Sequence, residues 1–151
     1  MTRLHDIAEI GQNHVLWTGV AAWFIAQSIK VFVGVIRERR FNFRWFVGTG
    51  GMPSPHTASI SALATAIGMA YGFDSATFAL AVGFAFVVSF DAQGVRRSSG
   101  KQAILLNKML DDIYWKKQFD EMKLKEFLGH TPVEVFAGVA LGIVVALLFY
   151  K

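Results

Sequence analysis

The chain has 151 residues, 54% of them hydrophobic and only 17% charged, against about 25% charged in ordinary globular proteins. It contains no cysteine, which excludes disulfide scaffolds, zinc ribbons, thiol nucleophiles and iron–sulfur clusters. The formal charge of +4 would suit nucleic acid if it were spread evenly. Instead it leaves long stretches empty, a pattern that predicts an all-α integral membrane bundle in a single domain over 1–151.

In chain order, Met1–Asn13 carries both charge signs, unlike a transit peptide, and Val15–Ile36 is long for a signal peptide and has no small-residue cleavage pattern after it. A first transmembrane helix is predicted over about 15–36, where Lys30 is the only charge. A basic stretch follows, with Arg37, Arg39, Arg40 and Arg44, and then a Gly-rich run over 48–51. From Thr57 to Phe90 there are 34 residues whose only charge is Asp74. A helical crossing of about 30 Å takes roughly 20 residues, so this stretch is too long for one crossing and suits two short ones, about 57–72 and 75–90. Gly72-Phe73-Asp74-Ser75 supplies the turn, with Gly to end one helix and Asp or Ser to cap the next. A buried soluble hairpin is the alternative for this pair.

A basic insert over about 94–128 comes next. Within it Leu106, Met109, Leu110 and Ile113 recur at helical spacing among lysines, as in an amphipathic helix lying on the membrane or covering the core. A fourth transmembrane helix is predicted over about 132–150, uncharged from Val135 onward. None of these runs alternates polar with apolar residues, so strands are not expected. The helices are short, so bilayer thinning, snorkelling or flanking interfacial residues are expected to make up the length.

The two basic stretches hold twelve Lys and Arg against two, Arg3 and Lys151, on the opposite side. The positive-inside rule therefore places both stretches in the cytoplasm, with the protein in the cytoplasmic membrane. Ala58, Ala62, Ala66 and Ala70 form a ladder four residues apart, and Gly138 with Gly142 makes a G-x-x-x-G pair. Both favour close helix approach, within the bundle or in a homodimer.

The same topology gathers polar residues at the cytoplasmic face. Lys30 and Arg37 are seven apart, on one helix face, and would suit lipid headgroups as well as a substrate. Ser54 is a candidate N-cap before Pro55 and His56. Thr131 and Glu134 have capping-box spacing, with His130 just ahead. Asp91 ends the third helix, where a carboxylate opposes the dipole and calls for a basic partner; Arg96 and Arg97 follow it. Two histidines and several cations make a phosphoryl-transfer set. One imidazole attacks phosphorus, the other protonates the leaving oxygen, and cations hold the equatorial oxygens.

Order and spacing resemble the type 2 phosphatidic acid phosphatase superfamily, which includes lipid phosphatases, bacterial acid phosphatases and vanadium haloperoxidases. Its pattern is Lys and Arg separated by six residues, then Pro-Ser-Gly-His, then Ser-Arg, five residues, His, three residues and an acid. Lys30 and Arg37 match the first part, with Glu38 where Pro usually follows. Pro53-Ser54-Pro55-His56 matches the second, with Pro55 for Gly, and His130 to Glu134 ends the third, with Glu for Asp. Six residues before His130 stands Leu124. Arg96 or Arg97 then takes the place of the missing arginine, with a basic segment inserted after it, as in the divergent membrane branch.

The resemblance implies a metal-independent phosphatase without cofactor, acting on a phosphomonoester or pyrophosphate. With the site at headgroup depth, a lipid-linked substrate is expected. His130 would be the nucleophile, Glu134 its orienting acid and His56 the general acid. Lys30, Arg37, Ser54 and one of Arg96 and Arg97 would bind phosphate, with Asp91 supporting. The alternative is a degenerate membrane protein that binds phosphate or anionic lipid, or a scaffold. A transporter would need a polar path that Ser59, Ser61 and Thr65 hardly supply, and no nucleic-acid motif is present.

Overall fold

The structure is a computed structural model and describes residues 9–41, 51–114 and 129–150. The described residues form five main helices and no strand: α1 His14–Glu38, α2 Pro55–Tyr71, α3 Ala76–Gln93, α4 Val95–Tyr114 and α5 Pro132–Phe149.

Local chemistry sets the helix ends. Asn13 caps α1 by accepting the Leu16 N–H at 3.0 Å. Ser54 caps α2, with Pro55 at the first helical position, where a missing N–H costs nothing. Ser75 caps α3 by accepting from Phe78 N at 3.1 Å. Between α2 and α3 the chain turns at Gly72, whose φ is +92°. A Cβ there would also lie 2.6 Å from Asp74 Oδ1, so only glycine fits.

α2 is the central element, packed against α1, α3 and α5. Its seams are built from small residues: Ala22, Ala26, Ala58, Ala62, Ala66 and Ala146 are all fully buried. The alanine ladder and the glycine pair meet each other inside one chain. A Cβ on Gly142 would run into the Ala58 carbonyl and lie 2.9 Å from Ala62 N, so the two backbones are in direct contact. Between α2 and α1, Ser59 Oγ donates to the Gly19 carbonyl at 2.9 Å, an interhelical bond of the kind that holds helices together in lipid. The outer surface is apolar, with Phe24, Phe84, Phe86, Phe136 and Leu148 all exposed. In water such a surface would be a liability; against acyl chains it is the expected one.

Three helical stretches among the described residues are long and apolar enough to cross a membrane: α1, α5, and the run from Ala76 through α3 to Leu110. The sequence places a further crossing at α2. At 17 residues that helix is about 26 Å long, the shortest of the apolar helices, and the others surround it. Helix ends differ from the sequence expectation most at α3. Gly94 adopts a right-handed helical conformation, φ −89° and ψ −76°, instead of the left-handed stop that glycine often provides. Its N–H bonds to Phe90 O at 2.8 Å and its carbonyl accepts from Ser98 at 2.9 Å, so α3 passes into α4 with little interruption.

On α4, Leu105, Leu106 and Met109 are exposed, while Gly100 and Asn107 are buried. The apolar face carrying Leu106 and Met109 therefore does not cover the core. The side chain of Ile113 and residues 115–128 of the basic insert lie outside what is described.

Candidate active site

The start of α5 organises one end of the bundle. Thr131 Oγ1 accepts the Glu134 N–H at 3.4 Å, and Glu134 Oε2 accepts the Thr131 N–H at 3.2 Å, completing a capping box. The same Oε2 lies 2.9 Å from Nδ1 of His130. The His130 side chain is 3% exposed and that of Glu134 is 20% exposed. With Nδ1 donating to the carboxylate, the lone pair of the neutral imidazole sits on Nε2. Capping and imidazole orientation, which compete as explanations of Glu134 in the sequence, are satisfied together by one oxygen.

Two backbone hydrogen bonds tie other helix ends to this pair. The His130 N–H donates to the Ala92 carbonyl at 3.1 Å, joining the end of α3 to the segment before α5. The Ser54 N–H donates to the Glu134 carbonyl at 3.0 Å, joining the start of α2 to the first turn of α5. Ser54 is fully buried, and its hydroxyl accepts from Thr57 Oγ1 at 3.1 Å. The close approach depends on Gly138: a Cβ there would lie 2.7 Å from Ser54 O and 3.1 Å from Thr57 Cβ.

α1 contributes Lys30. Its half-buried side chain lies over Gly51, where a Cβ would sit 3.3 Å from the lysine Cε and 3.4 Å from Cγ. Gly51 has φ +88°, so it presents bare backbone to the lysine stem in a conformation that side chains rarely adopt. The Lys30 ammonium interacts electrostatically with the Glu134 carboxylate.

The structure thus brings Lys30, Ser54, His130 and Glu134 together. Arg37 is exposed in the last turn of α1, about 10 Å further along the axis than Lys30. His56 is exposed in the first turn of α2, on the outer side of a turn whose Ser54 and Thr57 are buried. Asp91 is half-buried immediately before Ala92, whose carbonyl holds the His130 amide. Arg96 and Arg97 belong to the first turn of α4, and their side chains lie outside what is described.

Three positions at this end carry no site signal strong enough to single them out in the sequence. Thr57 sits three residues after Ser54, the polar partner position of a cap, and that spacing is its only mark. Gly138 reads as a packing glycine and Gly51 as part of a Gly-rich run; their neighbours are distant in the chain.

A family model described as the Divergent PAP2 family, after type 2 phosphatidic acid phosphatases, matches residues 11–145. A Bacillus subtilis (strain 168) protein described as "Uncharacterized membrane protein YuiD" is 40% identical over 150 residues, covering 92% of this chain and 95% of its own. No solved structure matches significantly. The family match runs from just before α1 into the last turns of α5 and so takes in every helix end that meets at Glu134: the chain belongs to the Divergent PAP2 family.

Proposed function

We propose that the protein is a membrane-embedded phosphatase that hydrolyses a phosphomonoester or a pyrophosphate on a lipid, through a phosphohistidine, without metal or cofactor. The observation that carries this reading is the buried His130–Glu134 pair at 2.9 Å, beside a half-buried lysine. A carboxylate on Nδ1 holds the imidazole with Nε2 free to attack and stabilises the positive charge that follows.

In the first step Nε2 of His130 forms a bond to phosphorus while the bond from phosphorus to the leaving oxygen breaks. His56 donates its proton to that oxygen from the exposed rim of the site, where the leaving group emerges. In the second step a water gives its proton to His56 and attacks phosphorus, releasing inorganic phosphate and restoring His130. Lys30, Arg37, Ser54 and Arg96 or Arg97 hold the phosphoryl oxygens, with Asp91 ordering the basic residues after α3. Pro55 supplies no N–H to this anion. The site and basic segments face the cytoplasm in this reading.

Release of inorganic phosphate from a panel of lipid and soluble phosphates tests it. The purified protein is expected to release phosphate, and His130→Ala to abolish release while the fold survives. Unchanged hydrolysis in that variant removes the proposed nucleophile.

A second reading, binding of phosphate or anionic lipid without turnover, is favoured by the exposure of His56 and by Pro55 in place of a backbone donor. Vanadate separates the two, because it mimics the pentacoordinate phosphoryl centre. Saturable vanadate binding that requires both His56 and His130 supports the enzyme; anionic-lipid binding indifferent to both supports the second reading.

A further inference from the structure

Resting on the phosphatase reading, the geometry points to a subsite for a single hydrocarbon chain, with a built-in stop, in the cleft between α2, α3 and α5. This cleft has a volume of about 420 Å³, within the range of roughly 300–1,000 Å³ typical of ligand pockets. It exists because α5 lies along α2 on backbone contact at Gly138 and Gly142, whereas α3 stands away from α5 over most of its length. Only Ala92 of α3 is buried.

One end of the cleft lies at the level of the site. Its lining there includes Val135, which follows Glu134, and Gln93, which follows the Ala92 whose carbonyl holds the His130 amide. From that end it runs about 12 Å along α5 to Ile143 and about 22 Å along α3 to Phe78. At the far end Phe78 packs edge-to-face on Phe73, with ring centroids 5.1 Å apart. Both rings press on Gly68 of α2, where a Cβ would lie 2.5 Å from Phe73 and 2.9 Å from Phe78. The aromatic pair stands at the far end of the cleft, against Gly68.

An apolar cleft that starts at the level of a phosphate site and ends at an aromatic pair fits one linear tail whose phosphate sits at His130. A tail that stops short leaves the end of the cleft without contacts, and one that overruns Phe78 must bend out between helices. Ordinary bilayer lipid, free to lie against any exposed face, would show no such preference. Selection by tail length follows.

The test places the whole protein in phosphatidylcholine nanodiscs with a photoactivatable n-alkyl phosphate, competed at equal mole fraction by unlabelled n-alkyl phosphates of increasing length and by the matching n-alkanols. Labelling is expected on the cleft-lining positions, Val82, Ala85 and Ser89 of α3 and Val135, Val139 and Ile143 of α5. Competition should pass through an optimum length, with alkanols weaker than phosphates. Phe78→Ala should move the optimum to longer chains, and Val139→Trp, filling the cleft, should weaken competition by about tenfold. Labelling spread over outward positions such as Phe84 and Leu148, competition independent of length, or an optimum unmoved in a folded Phe78→Ala overturns the proposal. If a variant fails to fold, the native labelling pattern and length profile decide alone. Since labelling needs no turnover, cleft labelling without phosphate release removes the phosphatase reading and leaves the tail subsite standing.

Discussion

His130 and Glu134 are joined through a single carboxylate oxygen: Nδ1 of the imidazole lies 2.9 Å from Oε2, and that oxygen also takes the Thr131 amide at 3.2 Å. One atom therefore anchors a helix end and a ring at once. Because the imidazole is almost wholly buried, losing that partner would leave a polar ring nitrogen with little access to solvent.

Neutralising the acid separates its two duties. Glu134→Gln keeps an oxygen for the cap, so unfolding in detergent should shift by about 1 kcal/mol or less. Phosphate release, by contrast, should fall by about two to four orders of magnitude, as when a carboxylate orienting a catalytic imidazole loses its charge. Parallel losses of stability and rate would show a purely structural acid.

The α2–α5 seam should tolerate no added bulk. Gly142→Val pushes a side chain into the Ala58 carbonyl and Ala62 N, and since backbone cannot rotate aside, destabilisation of about 3 kcal/mol is expected. Gly83, where a Cβ would meet nothing within 4 Å, is the control: Gly83→Ala should leave the melting temperature unchanged or slightly higher. Comparable shifts in the two variants would refute backbone contact at Gly142.

Gly51→Ala should weaken ligand binding more than it weakens the fold. The left-handed conformation costs an alanine roughly 1–2 kcal/mol, and the new methyl group crowds the Lys30 stem. Vanadate affinity is expected to drop by about tenfold or more, with the helical circular dichroism spectrum retained. Native affinity in the variant would show that Lys30 is not held by this loop.

Orientation can be read by single cysteines, since the chain has none of its own. In the cytoplasmic assignment Arg39→Cys and Lys108→Cys react with an impermeant maleimide only after the cells are opened, while Asp74→Cys reacts in intact cells. Labelling of Asp74→Cys and Lys108→Cys from the same side would reverse or break the proposed topology.

Much of the fold is legible in the sequence because hydropathy and capping act locally. Ser54, Ser75 and Thr131 cap the helices their spacing suggests, and uncharged runs mark where helices can meet lipid. The passage of α3 into α4 is not legible, since glycine is compatible with both stopping and continuing and Gly94 continues. At the site, spacing marks Glu134 as the capping partner of Thr131, while its contact with His130 is what the family resemblance implies. The Ser54–Glu134 and His130–Ala92 backbone bonds join segments far apart in the chain, and no local pattern encodes them. Likewise, placing His56 at the same end of the bundle as His130 follows from order in the chain, but its exposed ring depends on which side of α2 meets α5.

The Gly138 and Gly142 contacts have one more consequence. Where two helices touch through backbone and methyl groups, there are no rotamers to shuffle, so the gap between them has a single value and cannot drift by fractions of an ångström as a leucine-filled seam can. A substitution at the rim can therefore reshape the entrance while the frame that sets Ser54 against Glu134 stays as it is.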